Sequence, residues 1–381
     1  MHLPGPPVTR NFGIDCLRGL AIVLVIVHHL ALPFRLPLGP SLLHDWLPKR
    51  LINAISFNGY EAVFIFFVIS GFLITRRIVA VDGDLRQVRL RRFYVARAWR
   101  IVPLLLAVLA ALTVLAALGV PGFAPDPRDQ SIHGLLGSAL SFTFNWYEGR
   151  TGWAPAGWDV LWSLSIEEAF YVGFPLLCLW LPRRVLVAVL LIWAVCLVPL
   201  RDLVPVADEV WREKAYWPGM AAIAWGVLAA LLSLKWRCPP RTARLLALLG
   251  ALAIVFAMGW GRLAHQLFRG AGMYLLCVGA ACMLVGFAAW APQPRAGLRW
   301  LARMGTLSYE LYLSHMFVVL AVVASYRALL GAEPAWTFVV YVPVLAVCYG
   351  LAVLLNRAMA RLLQRRHGNA SRRPSAKPTS P

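Results

Sequence analysis

The segment "IHGLLGSALSFTFNW", residues 132–146, is the stretch on which the fold turns. It is apolar enough to compete as a membrane span yet marginal in length, because a helix needs about 20 apolar residues to cross the hydrocarbon core. Ten other runs meet that requirement more clearly: 14–34, 60–76, 101–119, 166–182, 184–200, 216–234, 244–260, 272–291, 305–330 and 336–356. With 132–146 left out of the count, the basic segments collect on one side. These are 76–100 with eight arginines, Arg183–Arg184, 235–244 with four Lys/Arg, 295–303 with three arginines, and the tail from Arg357 with seven Lys/Arg. The opposite loops hold fewer: 121–165 has two arginines against four acids, and 201–215 has three Lys/Arg against four acids. Counting 132–146 as a span would send the later basic loops to the other side. Basic residues favour the cytoplasmic side of a membrane. The sequence therefore predicts an all-α, polytopic bundle of about ten transmembrane helices with both termini cytoplasmic. It makes 132–146 an interfacial or re-entrant helix within an outer loop, 121–165.

Composition points the same way. The 381 residues are 60% hydrophobic and 14% charged, with a mean hydropathy of +0.69, whereas a soluble domain is about 45–50% apolar and about 25% charged. The net charge of +20 belongs to the short inner loops and to anionic headgroups, so membrane lipids and not nucleic acid are the expected partners. The seven cysteines show no CxxC, Cys/His cluster or paired spacing, and neither metal nor disulfides are expected. No small-residue cleavage site follows the first apolar run, so that run is expected to stay as a helix. The end of the chain, "RHGNASRRPSAKPTSP", reads as a basic, disordered cytoplasmic tail over 361–381.

Ionisable groups inside the apolar runs carry the chemistry, since each costs roughly 2.5–3.5 kcal/mol to insert at the bilayer centre. In "IDCLRGLAIVLVIVHHLALPF", 14–34, Arg18 and His29 are eleven residues apart. At about 100° per residue they share one helix face, roughly 16 Å apart along the axis, while His28 points about 100° away. In "RRFYVARAWRIVP", 91–103, Arg97 and Arg100 also share a face, at the mouth of the third span, where two planar guanidinium groups suit bidentate capture of phosphate. Taken on their own, ordinary flank charge explains them better. In "LWSLSIEEAFYVGFPLL", 161–177, Glu167 and Glu168 head a span in the same half of the bilayer as His29. A carboxylate there could orient the imidazole as a base, or Ser165 and Glu168 could form a helix-start capping box. In "GTLSYELYLSHMFVV", 305–319, Ser308, Tyr309, Tyr312 and His315 could line a polar channel.

Five motifs in order, the Arg-x10-His helix, "FFVISGFLIT" at 66–75, the Arg-x-x-Arg mouth, "WSLSIEEAFY" and "LSYELYLSHM", resemble the membrane acyltransferase-3 family over residues 10–360. The resemblance implies a transmembrane module, 1–360, of a multi-pass protein of the bacterial inner (plasma) membrane. Such a module would move an acyl group, usually acetyl, from cytoplasmic acetyl-CoA or another acyl-CoA to a hydroxyl of an exported or envelope carbohydrate. The acceptor would be a polysaccharide, a lipid-linked oligosaccharide or a glycosylated metabolite. It further implies His29 as catalytic base, with Glu167 and Glu168 as its acidic pair, and Arg18, Arg97 and Arg100 as the donor-binding set. One departure is visible: where the family carries an acid before the aromatic pair of the second helix, this chain has Phe64, with Glu61 three residues earlier. A transporter using Arg18, His29 and His315 as a substrate or proton path is the competing reading. A non-catalytic envelope assembly protein is a third.

Overall fold

The computed structural model describes residues 10–196, 209–261, 263, 272–331 and 333–370. Helices and turns account for all regular structure among them, with no strand. In chain order the helices are α1 (Phe12–Ala31), α2 (Lys49–Ser56), α3 (Gly59–Asp82), α4 (Leu90–Ala117), α5 (Ile132–Leu140), α6 (Phe144–Thr151), α7 (Ala156–Asp159), α8 (Leu161–Trp180), α9 (Arg183–Val195), α10 (Glu209–Lys214), α11 (Tyr216–Lys235), α12 (Pro240–Gly259), α13 (Gly272–Trp290), α14 (Arg299–Thr306), α15 (Ser308–Leu330) and α16 (Tyr341–Ala370).

Nine helices among the described residues are long and apolar enough to cross a membrane: α1, α3, α4, α8, α11, α12, α13, α15 and α16, with α7 and α10 running into α8 and α11. The expected tenth run, 184–200, appears as the 13-residue α9, and its residues 197–200 lie outside the described residues. The segment 132–146 forms two short helices, α5 and α6. Between them the backbone turns at Phe142, whose φ of 57° is left-handed. The last helix continues to Ala370, and the final part of the predicted tail, 371–381, also lies outside the described residues.

Two boundaries differ from expectation for local reasons. Helix α4 starts at Leu90, eleven residues before the apolar run 101–119, because arginine is a good helix former and the flanking segment needs no break at the bilayer edge. Pro103 is accommodated inside it. Helix α8 starts at Leu161, so Ser165 is internal. Its Oγ accepts from Phe144 N at 3.0 Å, tying α8 to the loop 121–165 in place of a capping box.

The core is built by α1, α3, α8, α11 and α15. Helix α1 packs on α3, α14 and α15, and α3 packs on α11. The α1–α14 contact is backbone to backbone: a Cβ at Gly19 would stand 1.9 Å from Leu301 O, and one at Gly305 would stand 1.8 Å from Asp15 O. Small residues at membrane helix crossings allow this approach. Here it fixes the register of Arg18 against the start of α15. Helices α12 and α16 keep most of their apolar surface facing outward, as lipid-facing helices do.

The loop 121–165 is tightly folded over the ends of α4, α8 and α15. Trp158 is fully buried and donates through Nε1 to Phe123 O at 3.0 Å, while Phe123 stacks on Phe317 of α15. Beneath the loop lies a charged cluster. Lys214 Nζ donates to Glu148 Oε1 at 2.9 Å and to Asp159, and it sits over the Trp153 ring at 4.1 Å. Burial pushes the Glu148 carboxyl well above the usual carboxylate range, against the pull of Lys214.

Candidate active site

Helices α1 and α15 carry two side-chain pairs in the same order. Near the start of both, Arg18 Nη2 donates to Ser308 Oγ at 2.7 Å. Farther along both, His29 Nδ1 lies 3.3 Å from His315 Nε2, with ring centroids 5.0 Å apart. The matching order makes the two helices run in the same direction. The shared face read from the Arg18–His29 spacing is thus the face that meets α15.

Around Arg18 the helices leave a chamber of about 140 Å³. Its polar wall is Arg18, Ser70, Arg97, Arg100, Ser163, Glu167, Tyr171, Ser308, Tyr309 and Tyr312; its apolar wall includes Phe66, Phe67, Ile69 and Leu313. The polar groups are ordered by short contacts. Tyr171 OH donates to Glu167 Oε2 at 3.1 Å and lies 2.7 Å from Ser70 Oγ. The Arg97 guanidinium lies 5.2 Å from the Tyr171 ring centroid. Tyr309 OH donates to Ile101 O at 2.8 Å, joining α15 to α4. At the far end the hydroxyls of Ser163 and Tyr312 meet at 2.7 Å, and the Tyr312 ring centroid is 6.0 Å from that of His315.

Arg18, Leu73, Arg97, Arg100 and Tyr309 also line a second, wider cavity of about 1120 Å³, of which the chamber is the inner continuation. Six arginines border it: Arg10, Arg18, Arg76, Arg77, Arg97 and Arg100. The carboxylates in its wall are Asp15, held by Arg10 at 3.4 Å, and Glu310, which accepts from Asn356 Nδ2 at 2.7 Å. This is a strongly cationic space, whose field attracts negative charge.

The predicted residues therefore separate into groups. Arg18, Arg97, Arg100, Glu167, Ser308, Tyr309 and Tyr312 share the chamber, and His29 and His315 form the pair beyond Tyr312. The expected carboxylate partner of His29 is replaced. Glu167 turns to the chamber that Arg18 and Arg97 line, and Glu168, about 100° further round α8, is 7% exposed and off the chamber wall. The contacts of His29 Nδ1 are His315 Nε2 and, at 2.9 Å, Val25 O. Glu61 does not line the chamber either, although Val63 and Phe66 of the same helix do. Among the described residues no group of three or more His, Cys, Asp or Glu side chains could hold a metal ion.

Several site residues carry no signal in the sequence. Arg76 and Arg77 read as flank charge at the end of an apolar run, and Ser70 and Tyr171 lie within the quoted motifs 66–75 and 162–171 without being singled out there. Arg35 follows α1 in a loop, yet it is 8% exposed and donates through Nη1 to His29 O at 2.5 Å. Burial lowers its guanidinium to about 10, with Asp159 opposing the shift, which leaves it charged at neutral pH.

Residues 11–353 match the sequence profile of the family described as "Acyltransferase domain". The chain belongs to this acyltransferase-3 family and is a multi-pass membrane protein. Among its curated relatives, the O-acetyltransferase OatA of Staphylococcus aureus strain NCTC 8325 is 26% identical over 178 residues, covering 45% of this chain and 25% of that protein. SACOL0978 of S. aureus strain COL, provisionally named an O-acetyltransferase, is 27% identical over 173 residues, covering 43% of this chain and 24% of its own. The chain thus spans about a quarter of the length of these relatives. No solved structure matches it.

Proposed function

We propose that this protein is an O-acyltransferase of the bacterial inner membrane. It would transfer an acyl group, acetyl first among candidates, from cytoplasmic acyl-CoA to a hydroxyl of an exported or envelope carbohydrate. The observation that carries this reading is the arginine-bordered cavity leading through a narrow chamber toward the His29–His315 pair. Six arginines against two carboxylates leave four net positive charges in its wall. CoA carries roughly four negative charges, two on its 3′-phosphate and two on its pyrophosphate. Arg97 and Arg100 would grip phosphate oxygens with Arg76, Arg77 and Arg10 around them. The pantetheine arm would then pass Arg18 into the chamber and present the thioester near Tyr312. His29 Nε2 would take the proton of the acceptor hydroxyl as its oxygen attacks the thioester carbonyl. Collapse of the tetrahedral intermediate would expel CoA thiolate, which recovers that proton from the imidazolium. The names of the S. aureus relatives favour acetyl as the group transferred and oxygen as the receiving atom.

Donor binding is tested in purified protein by transfer of labelled acetyl from acetyl-CoA to an envelope glycan. Arg97→Lys and Arg100→Lys are expected to raise KM for acetyl-CoA at least about tenfold, because an ammonium lacks the planar fork and charged hydrogen bonds contribute about 1.5–3 kcal/mol. Arg89 is tied to Asp82 at 2.9 Å outside the cavity, and Arg89→Lys should leave KM within about twofold. Equal effects at all three positions would reduce Arg97 and Arg100 to topological charge.

The same reading places both termini and the wide cavity on the cytoplasmic side and the loop 121–165 outside, in keeping with the charge distribution. Reporter fusions at positions 85 and 370 should report the cytoplasm and a fusion at 150 the outer side. A cytoplasmic signal at 150 would refute this orientation.

A further inference from the structure

We propose that His315 is the positioning residue of His29, taking the place that a carboxylate holds in other His-based acyl transfer sites; this rests on the reading of His29 as the base. The assignment follows from counting protons on the two rings. His315 Nδ1 faces two backbone carbonyls, Tyr312 O at 2.8 Å and Leu311 O at 3.1 Å. Two acceptors facing one ring nitrogen require that nitrogen to carry the hydrogen, so the neutral His315 ring has its lone pair on Nε2. That lone pair points at His29 Nδ1 across 3.3 Å. His29 Nδ1 in turn faces Val25 O at 2.9 Å, which also demands a donor. His29 therefore carries its hydrogen on Nδ1, shared between Val25 O and His315 Nε2, and its own lone pair lies on Nε2.

This arrangement does three things. It selects the tautomer whose Nε2 can accept a proton, and it holds the plane of the His29 ring against α15. When Nε2 is protonated, the His315 lone pair faces the positive charge through Nδ1–H. The partner is neutral, so no buried anion has to be desolvated to obtain this support. A relay through His315 is closed, because its Nδ1 already holds a proton against two carbonyls. Exposure agrees with the division of labour: His315 is fully buried at 0%, whereas His29, the ring assigned as the base, is half-buried.

The test compares His315→Leu, His315→Gln and His29→Gln, each purified in detergent and assayed with acetyl-CoA, with folding followed by thermal transition. Leucine fills the space and offers no acceptor. His315→Leu should lower kcat about tenfold to a hundredfold, the usual range for removing a supporting partner, with KM for acetyl-CoA unchanged. Glutamine places its Oε1 near the original Nε2 and accepts from His29 Nδ1–H, so His315→Gln should recover most of kcat. A packing role alone predicts the reverse order, since leucine suits an apolar site better than glutamine. Wild-type kcat in His315→Leu, or no recovery in His315→Gln while its thermal transition is native, overturns the inference. Full activity in His29→Gln would refute the reading of His29 itself, whereas an inactive His29→Gln beside a normal His315→Leu would refute only the role of His315.

Discussion

His29→Gln is expected to abolish acyl transfer, lowering the rate by about 10²–10⁴, the contribution typical of a positioned general base. Glutamine keeps nearly the volume of the ring and places its amide near the original Nε2, so α1 should pack as before although the Nδ1 contacts to Val25 O and His315 are given up. What it cannot do is accept a proton at neutral pH. His28 supplies the internal control. It lies next in sequence, yet its Nδ1 is engaged by Ser56 O at 3.1 Å, away from α15. His28→Gln should therefore retain most activity. The measurement is acetyl content of the envelope glycan, with protein level checked by immunoblot. Normal acetylation in the His29→Gln strain would show that this histidine only packs.

Lys214→Met is expected to produce the largest loss of stability. The Lys214 and Glu148 side chains are 2% and 0% exposed, and removing one member of a buried ion pair costs about 3–5 kcal/mol because the other is left unpaired. Glu148 Oε1 would keep the Ala154 N–H, donated at 3.1 Å, but would lose its cation. The effect should depend on pH with a definite sign. Without Lys214, burial raises the folded-state affinity of Glu148 for a proton above its unfolded value near 4.5. The folded variant then holds a proton that the unfolded chain releases, so its deficit grows as pH rises from about 4.5 and levels off above the folded-state value. Lys214→Met combined with Glu148→Gln should regain part of the loss and flatten this pH dependence. Thermal transitions of the detergent-solubilised protein read both effects, and a wild-type transition in Lys214→Met would show that the cluster is dispensable.

What could be read from the sequence was whatever local periodicity encodes. Helix α1 was legible as the apolar run 14–34, and the structure sets it at Phe12–Ala31, where Asn11 Oδ1 accepts from Ile14 N at 3.2 Å. Arg18 with His29, and Arg97 with Arg100, could be placed on common faces because helical spacing alone sets that relation. Which carboxylate turns inward could not be read, because Glu167 and Glu168 are adjacent and the rotation of α8 is decided by packing against α3 and α4. The pairing of His29 with His315 spans 286 positions, and that of Lys214 with Glu148 spans 66. No local pattern links such residues. The start of α8 was misplaced for a related reason: Ser165 resembles a cap in one dimension, and its partner is Phe144 of a loop 21 residues earlier.

The parallel pairing of α1 with α15 also sets an order of assembly. Arg18 and Ser308 are separated by 290 positions, which a ribosome working at about 5–20 residues per second covers in roughly 15–60 s. Through that interval the first helix is already made, with an arginine and a histidine whose final partners have not been translated. A chain stopped before Ser308 possesses all six arginines of the cavity, His29 with its Val25 O contact and the acidic face of α8, but not the His315 ring. The wide cationic cavity is therefore largely encoded before α15, whereas the pairing of the two histidine rings waits for that helix.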